Sequence, residues 1–160
     1  MVSALNIDDS SCNWTYTNAG ISGYNVAEYS AVVDSVVAGI SSYQYYALIN
    51  LGVNDMGSMP NETTWKANYQ TIIDSVKTKW PSIKIYLAKP WGQGWDTEAN
   101  TMAGWIDDLV TANAGVAYVG IDERGWLKTC VATCSYDGIH YTDPIGTNAA
   151  AGEWKTILGY

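Results

Sequence analysis

The sequence predicts an α/β fold in which helices cover both faces of a parallel sheet. Apolar runs typical of buried strands alternate along the chain with segments whose apolar residues recur at helical spacing. The clearest run, residues 45–51, suits a strand buried on both faces. Loops rich in Gly and Asn follow the strand candidates, which favours one ligand-binding edge at the carboxyl ends of the strands. With 160 residues, the chain is predicted to form one domain, 1–160.

Each predicted element has a local signal. Asn25, with Glu28 three positions later, forms the capping-box pattern of a helix start. Pro81 marks the end of a second helix, and apolar residues at helical spacing indicate two more. Short apolar runs indicate the strands. In chain order we expect a strand at 16–20, a helix after Asn25, a strand at 45–51, a helix at 62–79, a strand at 83–88, a helix at 97–113, a strand at 116–121 and a helix at 145–158.

Composition excludes several classes of function. Sixteen acidic and eight basic residues give a net charge of −8, and the basic residues form no cluster, so we predict that neither nucleic acid nor an anionic membrane is a partner. No apolar stretch approaches the roughly 20 residues of a membrane span. The Cys130-x3-Cys134 spacing is not that of a usual zinc site, and no metal or organic cofactor is predicted.

The aromatic set is unusual, with 8 Trp, 12 Tyr and no Phe. Indole and phenol rings stack on sugar or aryl groups, so some of them are expected to line a wet cleft, whereas others fill the core. The loop at residues 90–95 presents Trp91 and Trp95 among glycines. Stacking on a substrate and covering the core are equal alternatives for these two indoles.

The cysteines and the glycosylation motifs leave the cellular location open. Cys12, Cys130 and Cys134 are consistent both with one disulfide plus a free thiol and with three reduced thiols. The sequences at Asn13 and Asn61 match glycosylation acceptors, which favours a secreted protein only weakly because the pattern is frequent by chance.

Five carboxyl-bearing positions are interpreted as structural. Asp55 is expected to order its own loop. Asp107 and Asp108 are adjacent on a predicted helix and therefore point about 100° apart, which disfavours a joint catalytic role. Asp122-Glu123-Arg124 is expected to form a salt-linked turn at the surface.

The single histidine, His140, follows Asp137 by three residues across a glycine turn. Imidazole is the usual proton shuttle of hydrolases that work near neutral pH. An aspartate at this spacing can accept a hydrogen bond from Nδ1–H, which fixes the tautomer and leaves Nε2 free to face a nucleophile. Upstream, the loop Gly52–Asp55 follows an apolar strand. Together these features predict the site of a serine esterase.

Three motifs resemble sequence blocks of the SGNH, or GDSL-type, hydrolases. Asn18–Gly23 resembles the second block, Gly52–Asp55 the third and Asp137–His140 the last. The resemblance covers residues 16–160 and implies a flavodoxin-like three-layer α/β/α sandwich that hydrolyses esters or thioesters. It also implies that Asp137 orients His140 and that the Gly23 N–H and the Asn54 side-chain amide hold the oxyanion. An acetylated saccharide or a short-chain acyl ester best fits a Trp- and Tyr-rich surface.

The first block, which carries the nucleophile, is atypical. Only Asp9-Ser10 resembles its Gly-Asp-Ser sequence, with Asp8 in place of glycine. Thirteen positions (23 − 10) separate Ser10 from Gly23, which leaves too little chain for a parallel crossover of about a dozen residues beside a strand at 16–20. The segment 1–15 is therefore atypical.

Three interpretations of this segment stay open. The usual first strand and helix are missing or replaced. Alternatively, Ser10 is the nucleophile and reaches the site by another route, helped by a link from Cys12 to Cys130 or Cys134. In the third interpretation, the chain is an inactive binding or structural module on the same fold. A missing first strand would expose a sheet edge, which a homodimer can cover.

Overall fold

The computed structural model describes residues 16–159 and confirms the α/β alternation, with three strands and five α-helices in that range. The strands are parallel and lie in chain order across the sheet. The elements are α1 (Val26–Gly39), β1 (Tyr46–Ile49), a 3₁₀ helix (Val53–Ser58), α2 (Glu62–Lys79), β2 (Lys84–Lys89), α3 (Asp96–Ala112), β3 (Ala117–Asp122), α4 (Glu123–Cys134) and α5 (Ile145–Leu158).

Helices pack on both faces of the sheet, as the predicted three-layer sandwich requires. Alternate residues of a strand point to opposite faces, so Ile85 and Leu87 of β2 enter one core while Ala88 enters another. The first core is the larger and contains the inward faces of α1, α2 and α3. In the second core, Trp154 of α5 packs against Ala88 and Ile121. Because each buried large apolar side chain contributes about 1.5–3 kcal/mol, this two-sided burial stabilises the sheet.

Local signals placed the helix starts correctly. The Asn25 side chain accepts a hydrogen bond from the Glu28 N–H, and the Glu28 carboxylate accepts one from the Asn25 N–H, which confirms the capping box. Asn61 caps α2 in the same manner through the Thr64 N–H. Within residues 16–159, none of the helices combines the length and the apolarity that a bilayer crossing requires.

Two predicted elements were wrong. Residues 16–20 form no strand, because Asn18 Oδ1 accepts a hydrogen bond from the nearby Gly20 N–H, a local turn that competes with strand pairing. The segment after β3, in which no helix was predicted, contains α4, and Asp122 caps this helix by accepting a hydrogen bond from the Arg124 N–H. The helical signal of α4 is weak because the segment contains Gly125 and residues of low helix propensity such as Thr129 and Thr133.

The disulfide joins Cys130 to Cys134 within α4. Since this pairing occupies both thiols, the suggested link from Cys12 to either of them was wrong. Cys12 itself lies outside the described residues.

Candidate active site

The Asp137–His140 turn has the geometry that the motif predicts. His140 Nδ1 lies 2.7 Å from Asp137 Oδ2. The other carboxylate oxygen, Oδ1, accepts hydrogen bonds from the backbone N–H groups of His140 at 2.8 Å and Ile139 at 3.0 Å. These hydrogen bonds, led by the one from the His140 N–H, lower the pKa of Asp137 to about 2. Asp137 is therefore an anion wherever the histidine works, and it fixes the imidazole with Nε2 directed away from it.

Gly138 makes the turn tight. Its φ of +85° is a conformation that other residues rarely adopt, and an added Cβ would lie 2.5 Å from the Gln93 Cβ. The Gly138 N–H donates to the buried Ser135 hydroxyl at 2.8 Å, while its carbonyl accepts from the Gln93 N–H at 2.9 Å. Gly138 thus joins the loop after β2 to the loop that carries His140, residues 135–142, which we call the histidine loop.

The histidine ring has an aromatic neighbour. The Tyr136 ring stacks on the His140 imidazole with 5.5 Å between centroids and 11° between planes. Tyr136 is 66% exposed, so much of this residue is open to solvent. A flat ring beside the proposed proton shuttle restricts the imidazole plane and offers a surface on which a sugar or aryl group can stack.

The two predicted oxyanion donors lie beside each other. The Asn54 side-chain amide donates to the carbonyl of Tyr24, the residue after Gly23, at 3.0 Å. Because an amide nitrogen carries two hydrogens, one of them stays available to a substrate. Gly23 is exposed with φ +81°, and nothing within 4 Å crowds the position of a Cβ. In the described part of the chain, the Gly23 N–H has no hydrogen-bond acceptor, which leaves it free to bind an anion.

Asp55 has a structural role, but it connects its loop to another segment of the chain. Its Oδ2 accepts a hydrogen bond from the Val26 N–H, the first residue of α1, at 3.1 Å. Asp55 is buried, and burial raises its pKa while the hydrogen bond from Val26 opposes that rise. The carboxylate therefore fixes the start of α1 against the 3₁₀ helix that carries Asn54.

At this edge of the sheet, one group lies where the sequence did not predict it, and for a second the structure decides between two equal alternatives. Asp122 and Arg124 form the expected ion pair, but Glu123 between them is buried rather than at the surface. Trp91 is 3% exposed and its Nε1–H donates to Asp96, so this indole covers the core; Trp95 is half-buried. A buried carboxylate at the first position of a helix has no signature in the sequence, because its partners are distant in the chain.

Two further points concern the nucleophile and metal binding. Ser10 lies outside the described residues, so its placement relative to His140 stays a prediction. Within residues 16–159, no group of three or more His, Cys, Asp or Glu side chains comes together in a way that could hold a metal ion.

The family model of the GDSL-like lipase/acylhydrolase family matches residues 6–144 of the chain. This range contains all three motifs and Ser10. A search of curated protein sequences found no significant match.

Several solved structures share the fold. The crystal structure of an acetyl esterase mutant with an acetate ion has a TM-score of 0.68 and 17% identity, over 85% of this chain and 67% of that one. A family 3 carbohydrate esterase from Talaromyces cellulolyticus has a TM-score of 0.64 and 18% identity, over the same shares of the two chains. A family two carbohydrate esterase from Clostridium thermocellum, in complex with cellohexaose, has a TM-score of 0.51 and 21% identity, over 78% and 41%. At these identities the similarity is one of fold.

Proposed function

Since the chain belongs to the GDSL-like lipase/acylhydrolase family, we propose that it hydrolyses carboxylic esters with Ser10, His140 and Asp137 as its catalytic triad. The observation that carries the proposal is the 2.7 Å contact between His140 Nδ1 and Asp137 Oδ2, in a turn that leaves Nε2 free. An imidazole held this way is prepared to accept a proton from a hydroxyl nucleophile.

The reaction has two halves. His140 Nε2 takes the proton of the serine hydroxyl while its oxygen attacks the ester carbonyl, and the resulting imidazolium then protonates the leaving alcohol. Water repeats the sequence on the acyl-enzyme and releases the acid. Asp137 stays ionised throughout and stabilises the imidazolium, because its pKa lies near 2.

The oxyanion is held by two donors from different loops. The Gly23 N–H and the second Asn54 amide hydrogen donate to the carbonyl oxygen as it becomes negative. Both groups are preorganised, because the Asn54 amide already bonds to the Tyr24 carbonyl and Asp55 fixes the start of α1. Preorganised donors stabilise a developing charge without reorganising at the moment of reaction.

We propose that the substrate is an acetyl or short-chain acyl ester of a saccharide. Two of the structures that share the fold are carbohydrate esterases and a third is an acetyl esterase. The exposed Tyr136 ring next to His140 supports the same assignment, since an aromatic face binds sugars by stacking.

Labelling with a fluorophosphonate probe, followed by peptide mapping, tests the nucleophile. We expect modification at Ser10 in the wild-type protein and its loss in His140→Ala, because the probe reacts with an activated serine. Modification at another serine would keep the esterase and reject Ser10. A folded protein that no probe modifies would contradict the esterase and favour a binding module without a nucleophile turn.

The substrate class is tested with acetylated xylo- and cello-oligosaccharides against ethyl acetate. We expect Tyr136→Ala to lower kcat/KM on the saccharide esters by roughly 5-fold and to change ethyl acetate hydrolysis much less, because a lost stacking contact is worth about 1 kcal/mol. Tyr43→Ala, at an exposed tyrosine before β1, is the matched control. Equal losses on both esters would contradict saccharide stacking.

A further inference from the structure

Glu123 is a buried carboxylate with three donors. It is 4% exposed and is the first residue of α4. Its Oε1 accepts hydrogen bonds from the Asn50 amide at 2.7 Å and from the Tyr141 hydroxyl, and its Oε2 accepts one from the Trp91 backbone N–H at 3.0 Å. The Asn50 amide also lies 3.4 Å from the Tyr141 hydroxyl, so these groups form one connected network.

Each partner of Glu123 belongs to a different part of the candidate site. Asn50 follows β1 and precedes the Gly52–Asp55 loop by two residues. Trp91 opens the loop after β2, whose Gln93 bonds to Gly138. Tyr141 is the residue after His140. Glu123 itself follows β3, so one carboxylate joins the carboxyl ends of all three described strands to the histidine loop.

Burial of the Glu123 carboxylate costs free energy, because no cation pairs with it in the described part of the chain. In the described part of the chain its hydrogen-bond partners are all uncharged, while the nearby Arg124 and Lys89 pair with Asp122 and Asp107. Burial raises the pKa of Glu123, and the three hydrogen bonds offset only part of this rise. A protein with a well-packed apolar side chain at a buried position is often as stable as one with a buried charge there. Stability of the fold alone is therefore a weak reason for a carboxylate at this position.

We infer that Glu123 is a positioning residue of the ester hydrolase: its carboxylate sets the histidine loop, through Tyr141, against the loop that carries the oxyanion donor, through Asn50. The activity part of this inference rests on the proposed function. Glu123 acts only through its partners, and what it determines is the separation and orientation of His140 relative to Asn54. A misplacement of about 1 Å at a distance from the chemistry can cost about 100-fold in rate.

Kinetics provide the first test. Glu123→Gln keeps the shape of the side chain but presents an amide NH₂ to groups that are themselves donors. We expect kcat to fall roughly 10- to 100-fold while KM changes less than about threefold, because alignment rather than ground-state binding is lost. Tyr141→Phe, which deletes one hydroxyl of the network, should produce part of the same loss, and the two changes together should be less than additive.

Tyr118→Phe is the matched control. Its hydroxyl donates to the Gly115 carbonyl before β3, at the opposite end of the strand from Glu123. We expect its kcat and KM to equal those of the wild-type protein. A folded Glu123→Gln protein whose kcat stays within twofold of wild type would overturn the inference.

The single histidine provides a test that does not depend on turnover. With histidine labelled at ¹³Cε1, the NMR spectrum reports His140 alone. We expect one sharp signal in the wild-type protein and in Tyr118→Phe, and a shifted, broadened or doubled signal in Glu123→Gln. An unchanged His140 signal in Glu123→Gln would contradict the positioning role even if no ester substrate is found, whereas a changed signal in a protein that hydrolyses no ester would reject the proposed function alone.

A second variant keeps the test valid if Glu123→Gln does not fold. Tyr141→Phe removes one hydrogen bond and leaves the carboxylate in place. Its kcat, its KM and its His140 NMR signal are measured in the same way. A folded Tyr141→Phe protein with wild-type kcat and an unchanged signal would then overturn the inference.

Discussion

Two carboxylates at one edge of the sheet have opposite environments. The Asp137 side chain is 38% exposed, its pKa is lowered to about 2, and all its hydrogen bonds come from residues within three positions. Glu123 is buried, its pKa is raised, and its partners lie 18, 32 and 73 positions away. The first is organised by a short motif and was predicted from the sequence. The second is organised by the tertiary structure and was not.

The largest effect should come from the local carboxylate. Asp137→Asn leaves the turn nearly isosteric but removes the charge that fixes the imidazole, so we expect kcat to fall by up to about 10⁴-fold. His140→Ala should be at least as severe. Both are measured with a short-chain acyl ester, with circular dichroism as the check on folding. Full activity in either variant would mean that the 2.7 Å contact has no catalytic role.

Loss of one proposed oxyanion donor should have the next largest effect. Asn54→Ala removes a preorganised hydrogen, and we expect kcat to fall roughly 10²- to 10³-fold with little change in KM. Asn148→Ala, at an exposed asparagine of α5, is the matched control and should leave kcat unchanged. An equal loss in the two variants would point to a general effect on stability instead.

The contributions of Asp137 and Glu123 to the free energy of unfolding should change with pH in opposite directions. A lowered pKa means that the Asp137 contribution to the free energy of unfolding is present above the ordinary value of 3.8 and is lost as pH falls through about 2. A raised pKa means that the Glu123 contribution is present below 4.5 and is lost as pH rises through the raised value. Urea denaturation from pH 2 to 8 should therefore show the advantage of wild type over Asp137→Asn growing with pH, and its advantage over Glu123→Gln shrinking. Slopes of the same sign for both variants would contradict this assignment.

The smallest effect should come from a second local motif, the capping box of α1. Asn25→Ala removes the acceptor for the Glu28 N–H, and we expect a loss of about 1 kcal/mol in the free energy of unfolding. The measurement is urea denaturation at neutral pH, with Ala27→Ser in the exposed first turn as control. A loss of several kcal/mol would show that Asn25 also holds the adjacent Gly23 turn.

The predictions that succeeded depend on short-range physics. The capping box, the Pro81 stop and the Asp137–His140 turn each involve groups within a few residues, and their chemistry can be read from the chain. The prediction of a strand at 16–20 failed because the Asn18 side chain accepts a hydrogen bond from the Gly20 N–H, and this local turn competes with strand pairing. The burial of Glu123 was missed because it depends on Asn50, Trp91 and Tyr141, which only the folded sheet brings together. Helix α4 was missed because its local helical signal is weak. Likewise, no spacing rule distinguishes the buried Trp91 from the half-buried Trp95.

The histidine loop closes on itself, which makes it a unit that can be transplanted. Its ends are joined by the hydrogen bond from Thr142 N–H to the Cys134 carbonyl at 2.8 Å and by an antiparallel bridge between Ser135 and Tyr141. The aspartate–histidine geometry is therefore encoded within about eight consecutive residues, and a protein engineer could graft it onto another helix end. A recipient would have to supply a backbone N–H opposite the Gly138 carbonyl and a buried carboxylate beneath Tyr141. In a scaffold with both, the imidazole would bond to its aspartate and have a fixed orientation relative to the scaffold. In a scaffold without the carboxylate, the imidazole would still bond to its aspartate, but its orientation relative to the scaffold would not be fixed.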